Sequence, residues 1–342
     1  MGQQSLIIVL MSSLLLSISV LGMMGMWNWS TETTATLFER EQALNISRSG
    51  VNKAVSILRK KKVWRTGFTG LRVAGGSVDV AVRDLGPDTV RITSVGTING
   101  VSHQSIVEAK LSSIFPTVES ALTVFGDSVE IANIGKSFDV DGRDWLPGGK
   151  VLGSYPPVNG IGVQSAKIVE DIKKNMDPKV YENVKGAGGE PSVGSFGNVD
   201  LATLHKFYKD RATQTLPAGT YSYNGVFGSM ADPEIVYVPG DLIWKGTIAG
   251  AGILVVDGSL KLQGNIEWEG IVLSLSGDVD IEIGGTGNPH IHGTVWVGNT
   301  SSTGITNVNI TGNPSIKYSY LTLMTVLGNL GLLDVEIYKY YE

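Results

Sequence analysis

The run LIIVLMSSLLLSISVLGMMGM occupies Leu6–Met26, and EQALNISRSGVNKAVSILR occupies Glu41–Arg59 a short polar stretch later. No charged side chain precedes Glu32. At about 1.5 Å per residue the first run spans roughly 30 Å as a helix, the thickness of a bilayer core, and lipid leaves the backbone no other open conformation. Ser12, Ser13, Ser17, Ser19, Gly22 and Gly25 are small enough to let helices approach closely, and Trp27 and Trp29 stand where an interfacial aromatic belt belongs. The second run is amphipathic at the same period. Leu37, Leu44, Val51, Val55 and Leu58 share a face, whereas Glu39, Arg40, Glu41, Arg48, Lys53 and Arg59 fall mostly elsewhere. Lys60, Lys61 and Lys62 meet the negative end of the helix dipole, with Gly67 and Gly70 beyond. The spacing predicts one continuous helix over residues 1–62, apolar all round in its first half and one-sided in its second. A cleaved signal peptide fits less well, because Met1–Ser5 carries no Lys or Arg and the apolar core is long. A plain single-span anchor leaves the second half without a purpose.

GQQSLIIVLMSSLLLSISVLG followed by the amphipathic run resembles the N-terminal region of type IV pilin-like, PilX-like pilus assembly proteins. In that family a Gly precedes the apolar helix, here Gly2, the implied leader-processing position. An Ala-x-x-x-(Ala/Ser)-x-x-Gly-x-Asn-x-Ala-type stretch continues it, here Ala43, Ser47, Gly50, Asn52 and Ala54. The Gly-rich segments between 235 and 320 are also similar to the β region of such proteins. The resemblance implies a filament core built from Leu6, Ile7, Ile8, Val9, Leu10, Leu14, Leu15, Leu16, Ile18, Val20 and Leu21. The chain departs from most pilins in its fifth residue, usually Glu. That residue is Ser5 counted from Met1 and Ile7 counted from Gln3, which tilts toward a specialised subunit.

Across the whole chain, 44 glycines and a charged fraction of only 17% suit tightly turned β structure, where Gly supplies φ > 0 at corners. LRVAGGSVDVAVRDL, TVRITSVGTI and SHQSIVEAKL alternate apolar and polar and read as three strands of a small antiparallel sheet over 63–116. Asn99-Gly100 is its hairpin turn. From 117 to 342 a repeat appears, with EIVYVPGDLIW from Glu234, GILVVDGSLKL from Gly252, GIVLSLSGDVDI from Gly270 and GTVWVGN from Gly293. The turn glycines Gly240, Gly258 and Gly277 are 18 and 19 residues apart. Strand, Gly/Asp turn and second strand at that period describe a right-handed parallel β-helix or solenoid, with a β-sandwich as the alternative. ALTVFGDSVEIANI near Ala121 reads as an earlier coil. VQSAKIVEDIKKNM and NVDLATLHKFYKDRA read as short helices inserted at about 160–215. The fold class is therefore α+β: a pilin-type helix, a small antiparallel sheet, and a mainly-β domain.

The chemistry-bearing residues give sparse signals. A chain without Cys has no thiolate nucleophile, disulfide or thiolate metal site. Asp139, Asp141 and Asp144 have the spacing of a calcium loop, but the acidic residue closing such a loop is replaced by Lys150, and the incomplete ligand set favours an Asp-rich β-turn over a calcium site. His290 and His292 face one side of a strand, as a metal pair or as a plain stack. Glu267, Glu269, Asp278, Asp280 and Glu282 suit paired carboxylates of a glycosidase or lyase, or a solvated strand face. Gly284–Gly287 lacks the helix and Lys of a phosphate loop. Trp244, Trp268 and Trp296 are spaced too irregularly for a sugar platform and read as core. Asn28, Asn45, Asn299 and Asn309 begin glycosylation triplets, of which Asn299 and Asn309 lie in exposed-looking loops.

A net charge of −5 gives no basic footprint for nucleic acid. The expectation is a non-enzymatic structural subunit of an extracellular type IV pilus-like filament on the cell surface, without cofactor apart from the calcium alternative. Its implied partners are copies of itself or other pilins, the pilus assembly machinery, and the inner membrane before assembly. A minor or tip pilin, or an assembly protein of the same system, is the first alternative. A membrane-anchored β-helix adhesin or polysaccharide-active protein is the second.

Overall fold

The fold is that of a computed structural model. It describes residues 2–86, 88–113, 115–132, 137–197, 199–222, 224–275, 280–283, 287–298, 305–310 and 313–342, the side chains of 2–9, 28–32, 130, 132, 280–283, 305, 307 and 309 excepted. After an N-terminal helix the chain is mostly β, with one antiparallel and one parallel sheet. It divides into two units, one of residues 1–58, 64–111 and 335–342, the other of 59–63 and 112–334.

In the first unit, α1 (Gly2–Lys60) runs for 59 residues without a break, about 90 Å. Four strands follow: β1 (Phe68–Val73), β2 (Gly76–Gly86), β3 (Thr89–Ile98) and β4 (Val101–Ser113), each antiparallel to the next. The first expected strand is in fact two. Ala74 and Gly75, at φ 47° and 84°, fold LRVAGGSVDV into a hairpin. Asn99 and Gly100 turn β3 into β4 with φ 49° and 84°, the paired positive angles that Asn-Gly tolerates. Alternate residues of the sheet are buried, among them Val78, Val80, Val82, Val90, Ile92, Val107 and Ala109. A fifth strand, Leu333–Tyr341, closes the sheet beside β4 and adds Val335 to the core. Residues 335–342 thus belong with this sheet and not with the 117–342 segment. The pairing bridges more than two hundred residues of sequence, and no local periodicity marks it.

The second unit is built on parallel pairing. Glu234 pairs with Gly252, Gly252 with Gly270, and Gly270 with Gly293, so the four repeat starts lie side by side. Their separations are 18, 18 and 23 residues (252−234, 270−252, 293−270). The last step is longer than the glycine spacing predicts; Gly277 lies outside the described residues. Gly252, Gly270 and Gly293 have φ 142°, 134° and 146°, and a Cβ on any of them would strike the carbonyl of the strand before. Only glycine meets both demands. Val236, Leu254, Val272, Val295, Leu122, Ile161 and Val193 form one in-register column across the strands, and all are buried. The stack is not in chain order: the segment at Ala121 pairs beside Val295, not ahead of the Glu234 strand. The core includes Trp244, Trp268 and Trp296. Helices α2 (Ala166–Asn175) and α3 (Leu201–Lys209) lie where amphipathic spacing placed them, capped by Ser165 and Asp200. A further helix, α4 (Tyr320–Asn329), was not anticipated. It is apolar nearly all round because it is buried through Leu323, Val326 and Leu327.

Candidate functional site

Helix α1 is the candidate functional element. Its window Leu10–Trp27 has a mean hydropathy of 1.7 and is nowhere buried within the chain. Leu10, Leu14, Leu15, Leu16, Ile18, Val20 and Leu21 are all exposed; the side chains of Leu6, Ile7, Ile8 and Val9, and the surroundings of Gly2, lie outside the described residues. The serines do not make this surface polar. Ser13 Oγ donates to Leu10 O at 2.9 Å, Ser17 Oγ to Ser13 O at 2.8 Å and Ser19 Oγ to Leu15 O at 2.9 Å, so each hydroxyl is satisfied within its own helix. Such a rod is an apolar surface about 27 Å long, stable only in lipid or against other apolar matter.

The second half of α1 is seated on the sheet. Ala43, Ile46, Ser47, Gly50, Val51, Ala54, Val55 and Leu58 are buried there. Of the five small or polar residues singled out on this helix, Ala43, Ser47, Gly50 and Ala54 therefore face the sheet, while Asn52 faces solvent. Their small size sets the distance. A Cβ on Gly50 would overlap Ser94 Oγ, and one on Gly96 would overlap the Ala43 carbonyl. In the gap Ser94 Oγ donates to Ser47 O at 2.7 Å and Ser47 Oγ meets Ser105 Oγ at 2.6 Å. Leu44 is half-buried and Leu37 is exposed, so the seat begins near Ala43 and not at Leu37. Arg48 grips Glu342 through two hydrogen bonds of 2.6 and 2.9 Å. That grip holds the Glu342 carboxyl below the usual carboxylate range, and Arg91 does the same for Glu108 through a 2.7 Å hydrogen bond.

The acidic triplet is engaged elsewhere. Asp139 pairs with Lys185 at 3.2 Å, Asp141 accepts Arg143 Nη2 at 2.6 Å, and Asp144 accepts the Tyr155 and Tyr320 backbone N–H groups at 3.1 and 3.0 Å. Among the described residues no group of three or more His, Cys, Asp or Glu is placed to hold a metal ion. His290 and His292 stack at 6.4 Å. Burial, then the neighbouring His292, lowers the His290 pKa. His292 Nδ1 lies 2.9 Å from Glu269 Oε1, which also accepts Gly148 N at 2.8 Å; Glu269 Oε2 accepts Thr322 Oγ1 at 3.1 Å. Glu269 thus joins three separate segments, whereas Glu267 is exposed. Asp278 and Asn299, and the side chains of Asp280, Glu282, Asn28 and Asn309, lie outside the described residues; Asn45 is exposed on α1. Sequence reading missed one cluster: Asp257 binds His205 and accepts Tyr237 Oη at 2.5 Å, clasping α3 to the sheet. Its members come from three distant segments, so no spacing signals it.

No family model and no curated protein matches the chain. Among solved structures it is similar to the crystal structure of the competence-associated pilin ComZ from Thermus thermophilus, at 10% identity and a TM-score of 0.27, over 89% of this chain and 97% of that one.

Proposed function

We propose that this protein is a structural subunit of an extracellular type IV pilus-like filament, held in the cytoplasmic membrane by α1 before assembly and polymerised through it afterwards. The observation that carries the reading is the two-part character of one unbroken helix. Leu10–Trp27 is apolar and bare, and residues 43–58 are seated on the chain's own sheet. A membrane anchor accounts for the first half alone, whereas a subunit handed from lipid to a bundle of its copies accounts for both. Moving each Leu, Ile or Met of the rod against a neighbouring copy contributes about 1.5–3 kcal/mol relative to water. In this reading the β units face outward and their role is structural, not catalytic. The parallel stack, with its 18-residue register steps, supports reading the second unit as a solenoid. The partners are further copies or other pilins, with the assembly machinery that moves them.

Copy number decides between a major and a minor or tip subunit. The residue at the usual Glu position is Ser5 or Ile7, which favours a minor one. Shearing filaments from cells and quantifying their subunits by mass spectrometry tests both. Near-stoichiometric amounts identify a major subunit and traces a minor one. Absence from filaments and from assembly-complex pull-downs overturns the proposal.

A further inference from the structure

Three of the chain's eight methionines fall within four residues, in the run Gly22-Met23-Met24-Gly25-Met26-Trp27, so their thioethers act as one site. The two glycines leave that site unshaded. Met23, Met24 and Met26 are 68%, 62% and 67% exposed, and nothing lies within 4 Å of a Cβ placed on Gly22 or Gly25. In the second unit, by contrast, Met176 and Met324 are buried and Met230 is half-buried. Position along α1 sets what can reach the three sulfurs. At about 1.5 Å per residue, Met23–Met26 lie within about 6 Å of Trp27 along the helix axis. An exposed Trp27 belongs at the headgroup level of a bilayer. The sulfurs therefore stand at the wet end of the rod, within reach of small polar oxidants, while Leu10–Leu21 lies deeper.

Hydrogen peroxide transfers one oxygen atom to a thioether sulfur, giving the sulfoxide and leaving water; the sulfur is oxidised, the peroxide is reduced, and no bond of the chain is broken. The product is a polar side chain in place of an apolar one. At the bilayer surface, water satisfies the new hydrogen-bond acceptor. Between packed helices the rod offers it little, because Ser13, Ser17 and Ser19 already donate their hydroxyls to carbonyls of their own helix. A buried polar group without a partner is costly, so the sulfoxide favours the membrane state over the sheathed one. We propose that Met23, Met24 and Met26 form an oxidation-sensitive site that retains sulfoxide-bearing copies in the membrane and keeps them out of the filament. The inference rests on the filament reading above and adds a control on which copies enter.

The test uses the native chain. Existing filaments are sheared from producing cells, the cells are treated briefly with hydrogen peroxide and washed, and new filaments are grown. Mass spectrometry then compares sulfoxide occupancy in the new filaments with that in the membrane fraction of the same cells. The expected result is oxidised Met23–Met26 in the membranes and an occupancy at least about tenfold lower in the filaments, with no such difference at Met230. Equal occupancy at 23–26 in the two fractions overturns the site and leaves the filament reading standing. So does a membrane pool in which these three methionines stay unoxidised, or an exclusion that follows Met230 as closely. Absence of the chain from the filaments of untreated cells overturns both.

Discussion

Replacing Gly50 by alanine distinguishes a helix seated on the sheet from one that merely lies near it. In a solvated helix interior the change stabilises by about 0.5–1 kcal/mol, since glycine loses more backbone freedom on folding. At Gly50 the added methyl has no room. It would overlap Ser94 Oγ and lie 2.5 Å from Val78 Cγ2 and 3.1 Å from Val80 Cγ2. Ser94 is buried and cannot yield without leaving the Ser47 carbonyl, to which it donates at 2.7 Å. Overpacking costs about 1–3 kcal/mol, and a buried hydroxyl pushed off its acceptor costs about 1–3 kcal/mol more. Set against the helix gain, the net expectation is a loss of about 1–5.5 kcal/mol. Hydrogen exchange of the full chain in detergent reads this locally, because 1.4 kcal/mol is tenfold in an opening equilibrium. Peptides from β2 and β3 should lose protection by about fivefold at the least. Gly22→Ala, with nothing within 4 Å of its Cβ, should cost none. Unchanged or increased protection in Gly50→Ala refutes the seat.

Three further outcomes follow from the same packing. Trp244 is fully buried, 5.2 Å from Phe227 and 5.9 Å from Trp268 between ring centroids; Trp244→Ala should cost about 3–5 kcal/mol, read as a lower urea midpoint for the second unit. Glu269→Ala strands Gly148 N, the Thr322 hydroxyl and His292; exchange over residues 144–153 should speed up by about tenfold or more, from a loss of about 1–3 kcal/mol, and unaltered exchange would count against these contacts. Glu342 and Glu108 are held below their ordinary carboxylate range by hydrogen bonds from Arg48 and Arg91. Their folded-state values lie below the unfolded ones, so the contribution is complete above about pH 4.3 and lost as pH falls through the folded values. Protection of 335–342, corrected for intrinsic exchange, should fall below about pH 4 in the native chain and fall less in the Arg48→Met, Arg91→Met double variant.

Much of the fold is written in local periodicity. The change from all-apolar to one-sided spacing marks α1, Asn99-Gly100 marks its hairpin, and the starts Glu234, Gly252, Gly270 and Gly293 become register partners. What escaped is non-local. Residues 335–342 reach β4 across most of the chain, and the Ala121 segment pairs beside Val295; strand patterns say that an edge exists and not which strand fills it. Ala74-Gly75 was hidden because its flanks alternate as one strand would. The aspartates at 139, 141 and 144 had ligand-like spacing, but a spacing does not reveal that Arg143, Lys185 and two amides already occupy them. The small residues of α1 were legible as a motif, whereas the serine contact beneath them required the sheet.

In the proposed filament the bare rod Leu10–Trp27 is sheathed by copies of itself. Leu16→Cys, in a chain with no other cysteine, measures this through maleimide labelling of purified filaments against the same protein in detergent. Labelling is expected in detergent, since Leu16 is 70% exposed on the single chain, with near-complete protection in filaments. Equal labelling in both, or recovery of the chain from membranes alone, contradicts it.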